Sequence, residues 1–179
     1  LVGSEMCIRD RGNARETLQN NGLGTPIGYT GMTWSGFRPS DDACEYHYLI
    51  PANCFAAVIL GELAAIAREA WQDEAFALEA LRVRREIVQG IEAYGIVHHP
   101  RFGRIYAYEA DGLGHFRLMD DANVPSLLSL PYLGYLPPED PVYQNTRAWL
   151  LSEENPCYFQ GKVACGVGSE HTAAGYVWP

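Results

Sequence analysis

The sequence has no block of basic residues: 13 Lys and Arg stand against 22 Asp and Glu in 179 residues, for a formal net charge of −9. A nucleic-acid binder needs a basic face to neutralise phosphate. The nearest approach, RVRRE at 82–86, lies among apolar residues at helical spacing and reads as a solvated helix face. Nucleic acid is therefore not an expected partner. Long hydrophobic runs are missing as well. The longest, CFAAVILGELAAIA at 54–67, is interrupted by Glu62 and falls short of the ~20 apolar residues a membrane helix needs, so no membrane span is expected. The five cysteines (Cys7, Cys44, Cys54, Cys157, Cys165) contain no C-x-x-C, and their odd number leaves at least one thiol unpaired or paired between chains. That pattern favours a reducing, cytoplasmic compartment. His47, His98, His99, His115 and His171 show no H-x-x-x-H or H-E-x-x-H spacing. His98 and His99, adjacent on a strand, would point to opposite faces. Neither a metal nor a cofactor is expected. No fixed-period repeat is present, which argues against a solenoid.

What is present is a globular composition, 47% hydrophobic and 20% charged. Residues 1–11, LVGSEMCIRDR, carry neither period nor cap and read as a non-native leader, with 12–179 as the folding unit. After a Gly-rich loop from Asn20 to Gly31, Phe55, Ile59, Leu63 and Ile66 predict a helix over about Ala52–Ala70, with Pro51 in its first turn. Phe76, Ala80, Val83, Ile87 and Ile91 predict a second helix over 73–95, stopped at Gly95. The short link between them predicts an antiparallel αα-hairpin. Residues 96–121 switch to period two, a small β-excursion with turns at Pro100–Gly103 and Asp111–Gly114. Further helices are predicted near Val124–Leu133 and over PVYQNTRAWLLSEENP, followed by a Gly-rich tail loop ending at Trp178-Pro179. Helix hairpins must bury both faces, so the expectation is an all-α fold, an (α/α) barrel with a small β-excursion and long functional loops, which the resemblance described below narrows to a partial (α/α)6 barrel.

Those loops repeat one chemistry. GMTWSGFRPSDDACEYHYLIPAN at 31–53 crowds Trp34, Arg38, Asp41, Asp42, Tyr48 and Asn53 together. MDDANVPSLLSLPYLGY at 119–135 supplies Asp120, Asp121 and Asn123, and GSEHT supplies His171. Aromatic faces pack on pyranose rings, Asp, Asn and Arg bind hydroxyls, and two carboxyl groups cleave glycosidic bonds. Each cluster also has a plain structural reading. Ser40 followed by two aspartates could start a helix, and so could the 119–123 stretch. His171 could order its loop, and Trp34 could fill a core.

The segments 31–53, 119–135 and NPCYFQGKVACGVGSEHTAAGYVWP at 155–179 resemble the metal-independent α-mannosidases of glycoside hydrolase family 125. The resemblance implies an (α/α)6 barrel and exo-acting, inverting hydrolysis of α-1,6-linked mannose from an oligosaccharide without metal. It also implies a general acid in RPSDD, taken as Asp41 with Asp42 holding substrate, and a mannose subsite of Arg38, Asp120, Asp121, Asn123 and His171. Trp34 or Tyr48 would be the stacking platform. Where the family loop reads G-S-P-H-T, this sequence has Glu170, which alters the loop. The family's general base is expected beyond Pro179, so the chain reads as an inactive piece of the barrel unless Glu109 or Glu170 substitutes. The alternatives are a non-catalytic sugar-binding or helical interaction protein, or another (α/α)6 glycosidase, lyase or epimerase.

Overall fold

The structure, a computed structural model, describes residues 17–173 and 175–177. The segment 1–11, expected to be a leader, Cys7 and the closing Trp178-Pro179 lie outside them. Helix α1 runs over Ile50–Ile66 and continues as a π-turn over Ala67–Trp71. Pro51 occupies its first turn, where its fixed φ is pre-organised and its missing N–H costs nothing. The N–H of Ile50 is used outside the helix, donated to Tyr108 O at 2.8 Å. Gln72, in the left-handed region, turns the chain. Asp73 then caps α2, Glu74–Tyr94, its carboxylate accepting from Phe76 N at 2.9 Å.

The two helices pack as the expected hairpin, but on a different face. The buried residues of α1 are Ile50, Pro51, Asn53, Cys54, Ala57 and Ala64, while Phe55 and Ile66 of the expected stripe are exposed and Ile59 and Leu63 half-buried. Small residues let the backbones approach: Ala64, Ala67, Ala77 and Ala80 make a cluster at the hairpin tip. Arg84 of α2 reaches across Gly61 to donate to Ala57 O at 3.0 Å. With its π-turn, the first helix spans Ile50–Trp71, long and apolar enough to cross a membrane by length and composition. Here Ile50, Cys54 and Ala57 belong to the main core.

The expectation of an all-α partial barrel is corrected by the strands. Three antiparallel sheets lie among the described residues. Strands β1 (Tyr48–Leu49), β4 (Glu109–Ala110) and β5 (Phe116–Arg117) form one, in the order β1-β4-β5. Strands β2 (Ile96–His99) and β3 (Gly103–Tyr106) pair through a tight turn, with His99 opposite Gly103. Strands β6 (Tyr158–Gln160) and β7 (Cys165–Val167) make a hairpin within the tail expected to be loop. The period-two segment is therefore part of the framework: its β4 bridges β1, at the start of α1, to β5.

The helix expected over Val124–Leu133 is absent as well; residues 121–136 form turns. The Asp120 carboxylate takes the N–H groups of Leu127 (2.8 Å) and Leu128 (3.0 Å), and Ser126 and Ser129 each accept the other's N–H at the side-chain oxygen. Side chains thus offer the backbone partners that a helix would otherwise supply, and Pro131 cannot donate an N–H. Leu127 and Leu130 still reach the core. The last helix, α3 (Pro141–Leu150), forms as expected, capped by Asp140, with Trp149 and Leu150 buried. Each fully buried large apolar side chain contributes about 1.5–3 kcal/mol.

Candidate active site

The segment 35–47 folds back on itself. Ser35 N donates to His47 O (2.8 Å), Cys44 N to Gly36 O (2.9 Å) and Arg38 N to Asp42 O (2.8 Å). Arg38–Asp41 is the turn at its tip, closed by Asp41 N donating to Arg38 O (3.0 Å). Asp41 has φ 68°, a left-handed conformation that aspartate tolerates, and it is exposed. No helix starts here, so Ser40 is not an N-cap. Its hydroxyl donates to Asp42 Oδ2 at 3.1 Å instead. Asp42 is buried, and its Oδ1 lies 3.4 Å from Nδ1 of His171, whose side chain is 42% exposed. The two adjacent aspartates therefore occupy opposite environments.

Behind Asp42 runs an ion network across distant parts of the chain. Arg38 Nε donates to Glu109 Oε1 at 2.6 Å and Arg38 Nη1 to Glu170 Oε2 at 2.8 Å. Arg117 Nη2 donates to Glu170 Oε1 at 2.7 Å, and Arg117 Nη1 to Glu45. Glu109, fully buried on β4, also accepts the N–H groups of Glu45 and Tyr46, each at 3.0 Å. Burial works against the Arg38 charge, but Glu109 and then Glu170 outweigh it, and its pKa is raised. Beneath Arg38, 5.6 Å from its guanidinium carbon, is the ring of Tyr108, whose buried hydroxyl has no hydrogen-bond partner among the described residues. Beside the network opens a cavity of about 300 Å³, lined by Arg38, Asp42, Cys44, Glu45, Arg117 and Glu170 among others. Burial, with Glu109, pushes the Cys44 thiol well up, so it stays protonated.

The second cluster is wired into the protein. Asp120 and Asp121 are fully buried. Burial pushes the Asp120 carboxyl up to about 7, against the N–H groups of Leu127 and Leu128 that favour its anion. Asp121 accepts the backbone N–H (3.0 Å) and side-chain amide (2.6 Å) of Asn123 on one oxygen and the Ser169 hydroxyl (2.8 Å) on the other. Ser169 Oγ in turn accepts His171 N at 3.1 Å. Asp121 thus sets the loop that carries Glu170 and His171.

Of the two expected stacking platforms, Tyr48 is buried and donates its hydroxyl to Gly28 O at 2.8 Å, so it offers no face to a ligand. Trp34 is 46% exposed and lies stacked on His47, with ring centroids 4.8 Å apart. His47 is itself fixed: its Nε2 accepts Thr25 N (2.9 Å), which leaves Nδ1 to donate to Ser35 O (3.0 Å). Sequence reasoning missed Glu45 and Arg117 altogether; it named Glu109 only as a substitute base, and Glu170 as that and as a departure from the family loop. An acidic residue in the apolar β4 context was the one local signal for Glu109.

The cavity is open to solvent and walled by carboxylates and guanidinium groups that can meet polar groups of a ligand, and the exposed Trp34 indole stands on His47 just before the fold-back begins. The chain belongs to the metal-independent α-mannosidase family, glycoside hydrolase family 125, matching its profile over residues 6–179. It is 47% identical over 174 residues to the meiotically up-regulated gene 157 protein of Schizosaccharomyces pombe, covering 96% of this chain and 34% of that protein. It is also similar, at 47% identity and a TM-score of 0.92, to a metal-independent α-mannosidase of Streptococcus pneumoniae solved in a non-productive substrate complex with α-1,6-mannobiose. That match covers 96% of this chain and 41% of the solved one, so the chain spans well under half the length of both relatives.

Proposed function

We propose that this chain forms the mannose-binding and acid-bearing part of an exo-acting α-mannosidase that releases α-1,6-linked mannose with inversion. The observation that carries the reading is Asp42, buried against the cavity wall in a chain 47% identical to a mannosidase caught with α-1,6-mannobiose. A general acid must face the glycosidic oxygen it protonates. Asp42 lines the cavity and Asp41, at the exposed tip, does not, so the acid is assigned to Asp42 rather than to the first residue of the pair. Ser40 and His171 hold its carboxyl in place. In this reading Arg38, on the cavity wall, and His171, beside Asp42, meet sugar hydroxyls, and the exposed Trp34 takes the apolar face of a ring. Asp121, with Asn123 and Ser169, orders the loop that carries His171, and Asp120 orders the backbone at 127–128.

Inversion calls for a second carboxylate roughly 6.5–9.5 Å from the acid, to activate water on the opposite face. Glu45 and Glu170 are held by arginines and Glu109 is fully buried, which suits none of them to that task. The water-activating base is assigned to no described residue. The chain alone is therefore expected to bind α-1,6-mannobiose and to hydrolyse it scarcely at all. Titration by NMR should show saturable binding that Asp42→Asn leaves in place. The absence of saturable binding would overturn the mannoside reading, and release of the α-anomer in any turnover would overturn inversion.

A further inference from the structure

Glu170 has an unusual position in the cavity. One of its oxygens accepts from Arg38 at 2.8 Å and the other from Arg117 at 2.7 Å, so a single carboxylate occupies the space between two guanidinium groups. Both arginines line the cavity, as does Glu170. Two guanidinium groups on one wall are the ordinary recognition chemistry for a phosphate or carboxylate ligand. Here that capacity is already used. Arg38 also pairs with Glu109 and Arg117 with Glu45, so three carboxylates face two cations.

We propose that Glu170 is a specificity-determining residue: by bridging Arg38 and Arg117 it withholds both from anionic ligands, so the pocket accepts neutral glycosides and rejects phosphorylated or carboxylated ones. Rejection by an unfavourable charge is as effective a source of selectivity as an added contact. An anionic sugar would have to displace Glu170 and lie against it, and like charges in a partly desolvated site repel strongly. A neutral sugar keeps the bridge intact and can use its remaining N–H edges. The inference rests on the proposal that this cavity is a glycoside pocket, although its charge logic does not depend on which glycoside is bound.

The test is Glu170→Gln in the full chain, with inorganic phosphate and mannose 6-phosphate as probes in calorimetric titrations at low ionic strength and pH 7. The side chain of Glu170 is 28% exposed, so the variant is expected to fold, which circular dichroism and a thermal midpoint check; Glu170→Ala must give the same result. Wild type should bind either anion weakly. Glu170→Gln should bind both at least tenfold more tightly, salt should weaken that binding, and adding Arg117→Ala should remove the gain. No gain in folded Glu170→Gln and Glu170→Ala, or a gain that survives the loss of Arg117, would overturn the proposal. A parallel titration of wild type with α-1,6-mannobiose separates the two readings. Phosphate gain without mannobiose binding sinks the mannoside assignment alone, and mannobiose binding without phosphate gain sinks the role of Glu170 alone.

Discussion

Glu109→Gln is the sharpest test of the charge framework, because Glu109 is fully buried and every contact it makes is directional. One oxygen holds Arg38 Nε at 2.6 Å, and the other holds the N–H groups of Glu45 and Tyr46 at 3.0 Å. A glutamine has one acceptor and one donor where glutamate has two acceptors. With its oxygen toward the two backbone amides, its NH2 meets the Nε–H of Arg38. With its oxygen toward Arg38, the two amides lose their acceptor. Either orientation leaves a buried donor unmet, at about 1–3 kcal/mol. Removing one partner of a buried ion pair costs about 3–5 kcal/mol, and Glu170 remains on Arg38 to soften this. The expected loss is about 3 kcal/mol, a large share of the ~5–15 kcal/mol that holds a domain together.

With a urea m-value of about 2 kcal/mol/M, the midpoint should fall by about 1.5 M. Adding Arg38→Met should recover part of the loss, since the unpaired charge is then gone, leaving a coupling of at least ~1 kcal/mol in the double-mutant cycle. A midpoint shift of under ~0.5 M, or strictly additive losses, would show that the Arg38–Glu109 pair does not carry the framework.

Three further outcomes follow from single positions. Burial raises the Asp120 carboxyl to about 7, so the folded state binds that proton more tightly than the unfolded chain, whose aspartate titrates near 4. This contribution to stability is present at low pH and is lost as pH rises from about 4 to about 7, by an amount on the order of a few kcal/mol. Asp120→Asn should flatten that fall in urea midpoints measured at pH 5 and 7.5, and an unchanged profile would refute the assignment. Gly90→Ala places a Cβ 2.4 Å from Thr30 O, so the thermal midpoint should drop by the equivalent of about 1–3 kcal/mol, although alanine is the better helix former. Tyr108→Phe removes a buried hydroxyl without a partner among the described residues, so stability should hold or rise by up to ~1 kcal/mol. A fall of more than ~1 kcal/mol would mean that the hydroxyl has a partner in solution.

The parts of the fold that were legible in the sequence are those encoded locally. Pro51, the apolar spacing of 73–95 and the stop at Gly95 specify the helix hairpin within a few residues of chain. The period-two segment from Ile96 announced strands. What misled was equally local. The stripe of Phe55, Ile59, Leu63 and Ile66 has helical period, yet α1 turns Cys54, Ala57 and Ala64 inward, and Ala64 packs with Ala77 and Ala80 of the partner helix, where the two backbones close on each other. Period shows that a helix exists, and the residues on the partner decide which face it buries. The Val124–Leu133 pattern was apolar enough for a helix, but the serines and Asp120 satisfy its backbone in another way.

The site was legible only in half. Arg38, Asp42, Asp121 and His171 could be picked out because each lies in a loop dense with polar and aromatic residues. Their partners could not. Arg38 meets Glu109 across 71 residues and Glu170 across 132, and no spacing rule reaches that far. The same distances explain why the arrangement works. The fold-back at 35–47 contributes Arg38, Asp42 and Glu45, the strands β4 and β5 contribute Glu109 and Arg117, and the 168–171 loop contributes Glu170, and they are brought into register when the β1-β4-β5 sheet has formed. Opening the sheet would separate Glu109 and Arg117 from the fold-back and leave Asp42 without an ordered wall. The pocket and the tertiary fold should therefore be lost together. A Glu109→Gln variant destabilised enough to unfold in mild urea should lose ligand binding over the same concentration range as its sheet signal, and not before it.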